Sequence, residues 1–176
     1  MKLNIRETAV FAMLGALMFA TKELMAALPN IHLLGTIIVE MTLFYRQKAL
    51  YPIYVYVFAE GLTQGFSPWW VPNLYVWTVL WGAAMLLPKS MPQKAKPFVY
   101  SAVCSLHGFL FGTLYAPAQA LLFGMNFKQT LAWIAAGLPY DCIHGVSNFF
   151  CGFLIIPIIR ALTAADRGIN KNSKKM

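Results

Sequence analysis

The chain has 176 residues, enough for one domain, of which 59% are apolar, only 11% are charged and the net charge is +8. Soluble domains carry about 25% charged residues, so a water-soluble fold of this length would leave much apolar surface in contact with water. The composition excludes an ordinary soluble domain and predicts an all-α integral membrane protein with a single domain, residues 1–176.

The first apolar run covers residues 7–28, where a secretory signal peptide would also lie. It is too long for a signal peptide, and no small-x-small cleavage site is followed by a polar mature chain. We therefore predict that this segment remains as the first membrane helix.

Five further apolar runs follow, separated by turn or charge signals. A full membrane span needs about 20 residues, which the first, fifth and sixth runs reach, whereas the third and fourth are marginal and the second is short. The six predicted transmembrane helices cover residues 7–28, 33–45, 50–66, 71–87, 98–123 and 139–162. We predict that 124–138 is an external loop with a short interfacial helix, and that 163–176 is a basic cytoplasmic tail.

Lysine and arginine are distributed unequally between the two sides of this six-helix topology. One side has only Lys22 and Lys128. The other side has Lys2, Arg6, Arg46, Lys48, Lys89, Lys94, Lys96, Arg160, Arg167, Lys171, Lys174 and Lys175. By the positive-inside rule both termini are cytoplasmic, in a multi-pass protein of the plasma membrane. The positive charge then reflects topology and contact with anionic lipid, and we expect no nucleic-acid partner.

The predicted sixth helix opens with a polar cluster. Asp141, His144 and Asn148 fall within a narrow arc of one face at about 100° per residue, and Pro139 suits the first turn. Ionisable groups inside membrane helices are costly, so they are candidates for function. We place these three residues in a substrate site, with interhelical packing as the alternative.

Other buried ionisable residues are weaker candidates. Glu60, in the outer half of the third predicted helix, either binds substrate or pairs with a neighbouring helix. Glu40 lies nearer the cytoplasmic end, where pairing with Arg46 or Lys48 is the simpler expectation. His107 stands alone on the fifth predicted helix and is expected to serve packing.

The predicted loop before the fourth helix contains adjacent Trp69 and Trp70 between two prolines, followed by Tyr75. Aromatic residues at a membrane interface are ordinary anchors, but a stiff aromatic loop can also stack on a flat ligand. We predict that these three residues, with Trp77, form walls of an outward-facing pocket, and that His32 in the first external loop belongs to an opposing lid.

Ala12, Ala16 and Ala20 recur at four-residue spacing on the first predicted helix. Small residues at this spacing let a second helix approach closely. The partner is either a helix of this chain or a docked subunit.

Catalytic and metal-binding motifs are missing from the sequence. It has no P-loop, no HExxH and no GxSxG, so we predict that the protein is not an enzyme and holds no cofactor. Cys104, Cys142 and Cys151 form no CxxC pair, which argues against a disulfide framework or a zinc site and favours buried small hydrophobic residues.

The whole chain resembles the S-component, the substrate-specific subunit, of energy-coupling-factor (ECF) importers. The resemblance rests on the alanine-rich first helix, with Ala12, Ala16 and Ala20, and on the segment from Leu138 to Asn148. It implies that the chain binds a vitamin or similar micronutrient near the outer face. It also implies docking, through the alanine face, to a transmembrane coupling subunit and two ATPase subunits, which use the ATP.

The polar groups predicted for the pocket restrict the ligand. Glu60 and Asp141 are acidic and Lys22 is the main nearby base, a balance that favours a planar, donor-rich heterocycle, including a cationic one, over a strongly anionic compound. An alternative function is a stand-alone secondary transporter coupled to protons through Asp141, His144 and Glu60, although no inverted repeat is visible.

Overall fold

Helices form the architecture of the part of the chain that the computed structural model describes, residues 3–88, 90–160 and 163. These residues contain seven α-helices up to Gly152, a further helical segment over 155–160, one short 3₁₀-helix over 46–49, and no strand. The α-helices are α1 (Ile5–Leu24), α2 (Leu34–Tyr45), α3 (Leu50–Gln64), α4 (Asn73–Met85), α5 (Lys96–Phe109), α6 (Phe111–Phe123) and α7 (Phe127–Gly152). Leu110 is the single residue that separates α5 from α6. When these two helices are counted together as one rod, Lys96–Phe123, the bundle has six rods. The all-α prediction is confirmed.

The last long helix begins earlier than predicted. Asn126 accepts a hydrogen bond from the Gln129 amide while the Gln129 side chain accepts one from the Asn126 amide, a capping box that starts α7 at Phe127. The predicted loop 124–138 is therefore mostly helix. The placement of Pro139 in a first turn was also wrong, since Pro139 lies inside α7. The predicted end at residue 162 lies past the end of α7 at Gly152, and helix resumes over 155–160.

The core is built around α2, whose residues from Leu34 to Thr42 are all buried. The α5 and α7 helices cross at their glycines: a Cβ atom added to Gly108 would lie 2.8 Å from the backbone of Gly145. At this crossing the two backbones are in direct contact, a separation that only glycine permits. The position of the α7 side chains relative to the bundle is thereby set.

One helix of the described residues, the combined rod Lys96–Phe123, is long and apolar enough to cross a membrane by length and composition. At a rise of about 1.5 Å per residue, its 28 residues exceed a hydrocarbon core of about 30 Å.

Several sequence predictions concern termini and cysteines. Lys2, Lys89 and the tail 163–176, except Thr163, lie outside the described residues. The three cysteines are free thiols, but the prediction that all are buried was wrong: Cys104 is buried, Cys151 is half-buried and Cys142 is exposed on α7.

Candidate functional site

A cavity of about 440 Å³ lies at the end of the bundle where α1 ends and α4 begins. Arg46 and Lys48 lie at the other end, in the connection between α2 and α3. The connection between α1 and α2 covers one side of the cavity, and α3, α4, α6 and α7 provide the rest. Its lining includes Lys22, Glu23, Asn30, His32, Tyr56, Glu60, Gln64, Trp69, Asn73, Trp77, Phe111, Tyr115 and His144.

Aromatic rings surround the inner part of the cavity, with His144 in contact with two of them. The His144 ring centroid lies 4.7 Å from that of His32 and 5.0 Å from that of Phe111, both edge-to-face. Trp77 lies 5.5 Å from Phe111 and 6.1 Å from His32 by the same measure. These separations are typical of packed aromatic pairs, so the rings form a rigid wall.

Buried polar atoms in this wall have no protein partner. Both ring nitrogens of His144 and Nδ1 of His32 make no hydrogen bond to any described residue. His144 is 1% exposed. Burial, followed by the nearby Lys22 charge, lowers the pKa of His32 to about 4, so that ring is neutral at physiological pH. A neutral imidazole has one donor and one acceptor, and burying them unmatched is unfavourable, so a bound molecule with polar groups would satisfy them.

Two polar pairs connect α1 to α3 beside the cavity. Lys22 in the last turn of α1 forms an ion pair with Glu60 of α3, whose side chain is 1% exposed. One turn further along α3, Nε2 of Gln64 donates a hydrogen bond to Oε1 of Glu23 at 3.0 Å. Lys22 and Glu60 were considered from the sequence as a base and an acid of the pocket, and both line the cavity.

Asp141 has a different environment from His144, although both were predicted for the site. Its two carboxylate oxygens accept the backbone N–H of Gly112 at 3.0 and 3.1 Å, and it does not line the cavity. The break at Leu110 frees the first N–H groups of α6 from intrahelical partners, and a carboxylate is favourable at such a positive helix end. Asp141 therefore caps α6 from the neighbouring helix.

Asn148 also points into the protein interior and away from the cavity. It is fully buried, and its side-chain nitrogen donates to the Cys104 carbonyl oxygen at 3.3 Å. The predicted common face exists, but α5 and α6 cover most of it. Of Asp141, His144 and Asn148, only His144 reaches the cavity.

The aromatic residues predicted for the pocket also differ in whether they line the cavity. Trp69 lines the cavity, and its carbonyl oxygen accepts a hydrogen bond from Tyr115. Trp70 donates its indole N–H to the Val57 carbonyl oxygen at 2.8 Å, and Tyr75 donates to the Leu114 carbonyl oxygen at 2.7 Å. Trp70 and Tyr75 connect helices outside the cavity lining, whereas Trp69 and Trp77 are walls.

Sequence reasoning missed Tyr56, Phe111 and Tyr115. Tyr56 precedes Glu60 by four residues and thus shares its helix face, a signal that could have identified it. Phe111 and Tyr115 share a face by the same spacing, but nothing local distinguished them from lipid-facing aromatic residues.

Two other buried ionisable residues lie outside the cavity. The predicted pairing of Glu40 with Arg46 or Lys48 was wrong: Arg46 donates to the Met85 carbonyl oxygen at 3.0 Å, and Lys48 pairs with Glu7.

His107 contacts the Val76 carbonyl oxygen through Nε2 at 3.0 Å, a packing role as expected.

The small-residue stripe on α1 is accessible. Ala12, Ala16 and Ala20 are exposed, whereas their neighbour Gly15 packs against Val55 and the Pro52 carbonyl oxygen of α3. The alternative that the three alanines pack against another helix of this chain therefore does not hold within the described residues.

The candidate site is a cavity lined by aromatic, charged and hydrogen-bonding side chains. No group of three or more histidine, cysteine or acidic side chains suited to a metal ion occurs in the described residues. No protein-family model matches the chain, and it has no significant match among curated proteins or solved structures.

Proposed function

We propose that this protein captures a micronutrient at the outer face of the plasma membrane, as the S-component of an ECF-type importer driven by partner ATPase subunits. The observation that carries this proposal is the cavity, with its aromatic walls and the unpaired nitrogens of His144. A planar heterocycle with donors and acceptors would fill the space and satisfy these atoms.

The distribution of exposed apolar side chains supports a multi-pass membrane location. Large apolar residues on α1, α3 and α7 project outward with helical spacing, and a soluble monomer rarely exposes such contiguous surface. Examples are Met13 and Leu17, Phe58 and Leu62, and Ile143, Val146 and Phe150. In lipid these side chains need no cover, because the acyl chains are equally apolar.

The topology can be tested by cysteine labelling from outside the cell. Ser67 and Lys94 are both exposed and lie in the connections at opposite ends of the bundle. In a background with Cys142 replaced by serine, an impermeant maleimide should label Ser67→Cys and leave Lys94→Cys unlabelled until the membrane is opened. The reverse pattern would contradict the orientation.

The exposed alanine face is the proposed docking surface for the coupling subunit. Ala16→Trp adds bulk there without touching the cavity, so we expect uptake by whole cells to fall at least tenfold. The amount of small molecule released by heat from the purified variant, measured by mass spectrometry, should remain within twofold of wild type. Ala132→Trp, at an exposed position on α7, is the control and should leave both quantities unchanged. Loss of the bound molecule in Ala16→Trp would place this face in the ligand site instead.

A further inference from the structure

We propose that the cavity binds an aromatic compound bearing one positive charge, and that the cationic group of this ligand displaces Lys22 from Glu60. This inference takes from the proposed function only that the cavity is a ligand site. It adds the charge of the ligand and the group that receives it.

The charged residues of the cavity lining carry a net negative charge. Lys22 is the cation, and Glu23 and Glu60 are the two carboxylates. Glu23 is exposed and accepts a hydrogen bond from Gln64, whereas the Glu60 side chain is 1% exposed. A buried carboxylate without a cation is destabilising unless it binds a proton, so ionised Glu60 favours a positive partner.

Lys22 is suited to be a replaceable partner. Its side chain is 30% exposed and extends from the last turn of α1, so its ammonium group can move into water by rotating a flexible stem. Glu60 has no such freedom. A ligand cation that enters the cavity can therefore take over Glu60 while Lys22 becomes hydrated, and no charge is left buried and unpaired.

The surroundings of Glu60 favour an aromatic cation over a simple one. Tyr56 lies one turn away on the same face of α3, is buried and lines the cavity next to Glu60. Trp69 and Trp77 also line the cavity, and aromatic faces attract cations. An anionic group would instead be repelled by Glu60, and if it paired with Lys22 it would leave the buried Glu60 carboxylate without a cation.

Three probes of the same shape and different charge test this inference: benzamidine, benzamide and benzoate. Their binding to the purified full-length protein in detergent, after removal of any bound molecule, is followed by calorimetry and by tryptophan fluorescence. Benzamidine should bind at least tenfold more tightly than benzamide, and benzoate should not bind. Glu60→Gln should weaken benzamidine binding at least tenfold. Glu7→Gln is the matched control, because Glu7 also pairs with a lysine but lies outside the cavity lining, and it should change binding by less than threefold.

The direction in which Lys22→Gln changes the affinity for benzamidine is the decisive result. Removing the competing ammonium while keeping a hydrogen-bond donor should strengthen benzamidine binding, since the ligand no longer has to displace a charge. Melting temperatures establish that each variant is folded. Weaker benzamidine binding in folded Lys22→Gln, equal binding of benzoate, an unaffected Glu60→Gln variant, or no saturable binding of any probe would each overturn the inference.

The charge of the ligand and the proposed capture function can fail independently of each other. If the protein purified from cells carries a neutral or anionic small molecule in this cavity, capture stands and the charge assignment fails. If it carries none but binds benzamidine through Glu60, the charge assignment stands and nutrient capture fails.

Discussion

Gly108→Ala is expected to destabilise the protein by about 3 kcal/mol, the upper part of the range for overpacking a well-packed interior. The added Cβ would lie 2.8 Å from the Gly145 backbone and 2.9 Å from the His144 carbonyl carbon. Backbone atoms cannot move aside as a side-chain end can, so α5 and α7 would have to separate. The measurement is the free energy of unfolding in detergent, from denaturant titration.

Gly137→Ala is the matched control for this substitution. Gly137 lies within α7, as Gly145 does, but a Cβ atom added there meets nothing within 4 Å. Alanine is favoured over glycine in a helix by about 1 kcal/mol, so this variant should be as stable as wild type or slightly more so. Equal stability of the Gly108 and Gly137 variants would contradict the close crossing of α5 and α7.

Asp141→Leu is expected to lower the free energy of unfolding by about 1–3 kcal/mol, because the Gly112 N–H would remain buried without an acceptor. Asp141→Asn keeps one acceptor oxygen and should lose less. Because Asp141 lies outside the cavity lining, the folded fraction of both variants should retain the bound small molecule. Melting temperature and ligand content measured on one sample give both quantities.

His144→Leu provides the contrasting case for Asp141. It removes the unpaired ring nitrogens from the cavity, so ligand content should fall at least tenfold while stability changes less than in Asp141→Leu. If Asp141→Leu instead lost the ligand at an unchanged melting temperature, Asp141 would belong to the binding site and its capping role would be secondary.

Much of the helical architecture could be predicted from the runs of apolar residues, because a bundle of this composition has few alternatives. The start of α7 was also readable, since Asn126 and Gln129 have the spacing of a capping box. The polarity of residues 124–138 obscured it. A helix can carry polar residues when part of it lies at an interface, so polarity alone does not indicate a loop.

The composition of the site was only partly predictable. Helical periodicity placed Asp141, His144 and Asn148 on one face, but it does not indicate which neighbouring element covers each turn of that face. Here the break at Leu110 and the glycine crossing decide the outcome: Asp141 meets Gly112, Asn148 meets Cys104, and His144 is left facing the cavity. Such contacts depend on tertiary packing and leave no local pattern.

The most direct test of ligand capture is native mass spectrometry of the intact protein purified from cells grown in rich medium. We predict one small molecule bound per chain in the wild type, and none in His32→Trp, whose larger side chain would occupy the cavity from the loop between α1 and α2. Ser67→Trp, on an exposed loop outside the cavity lining, should retain the molecule. A wild-type protein with no bound molecule, or a folded His32→Trp variant that still carries one, would contradict capture in this cavity.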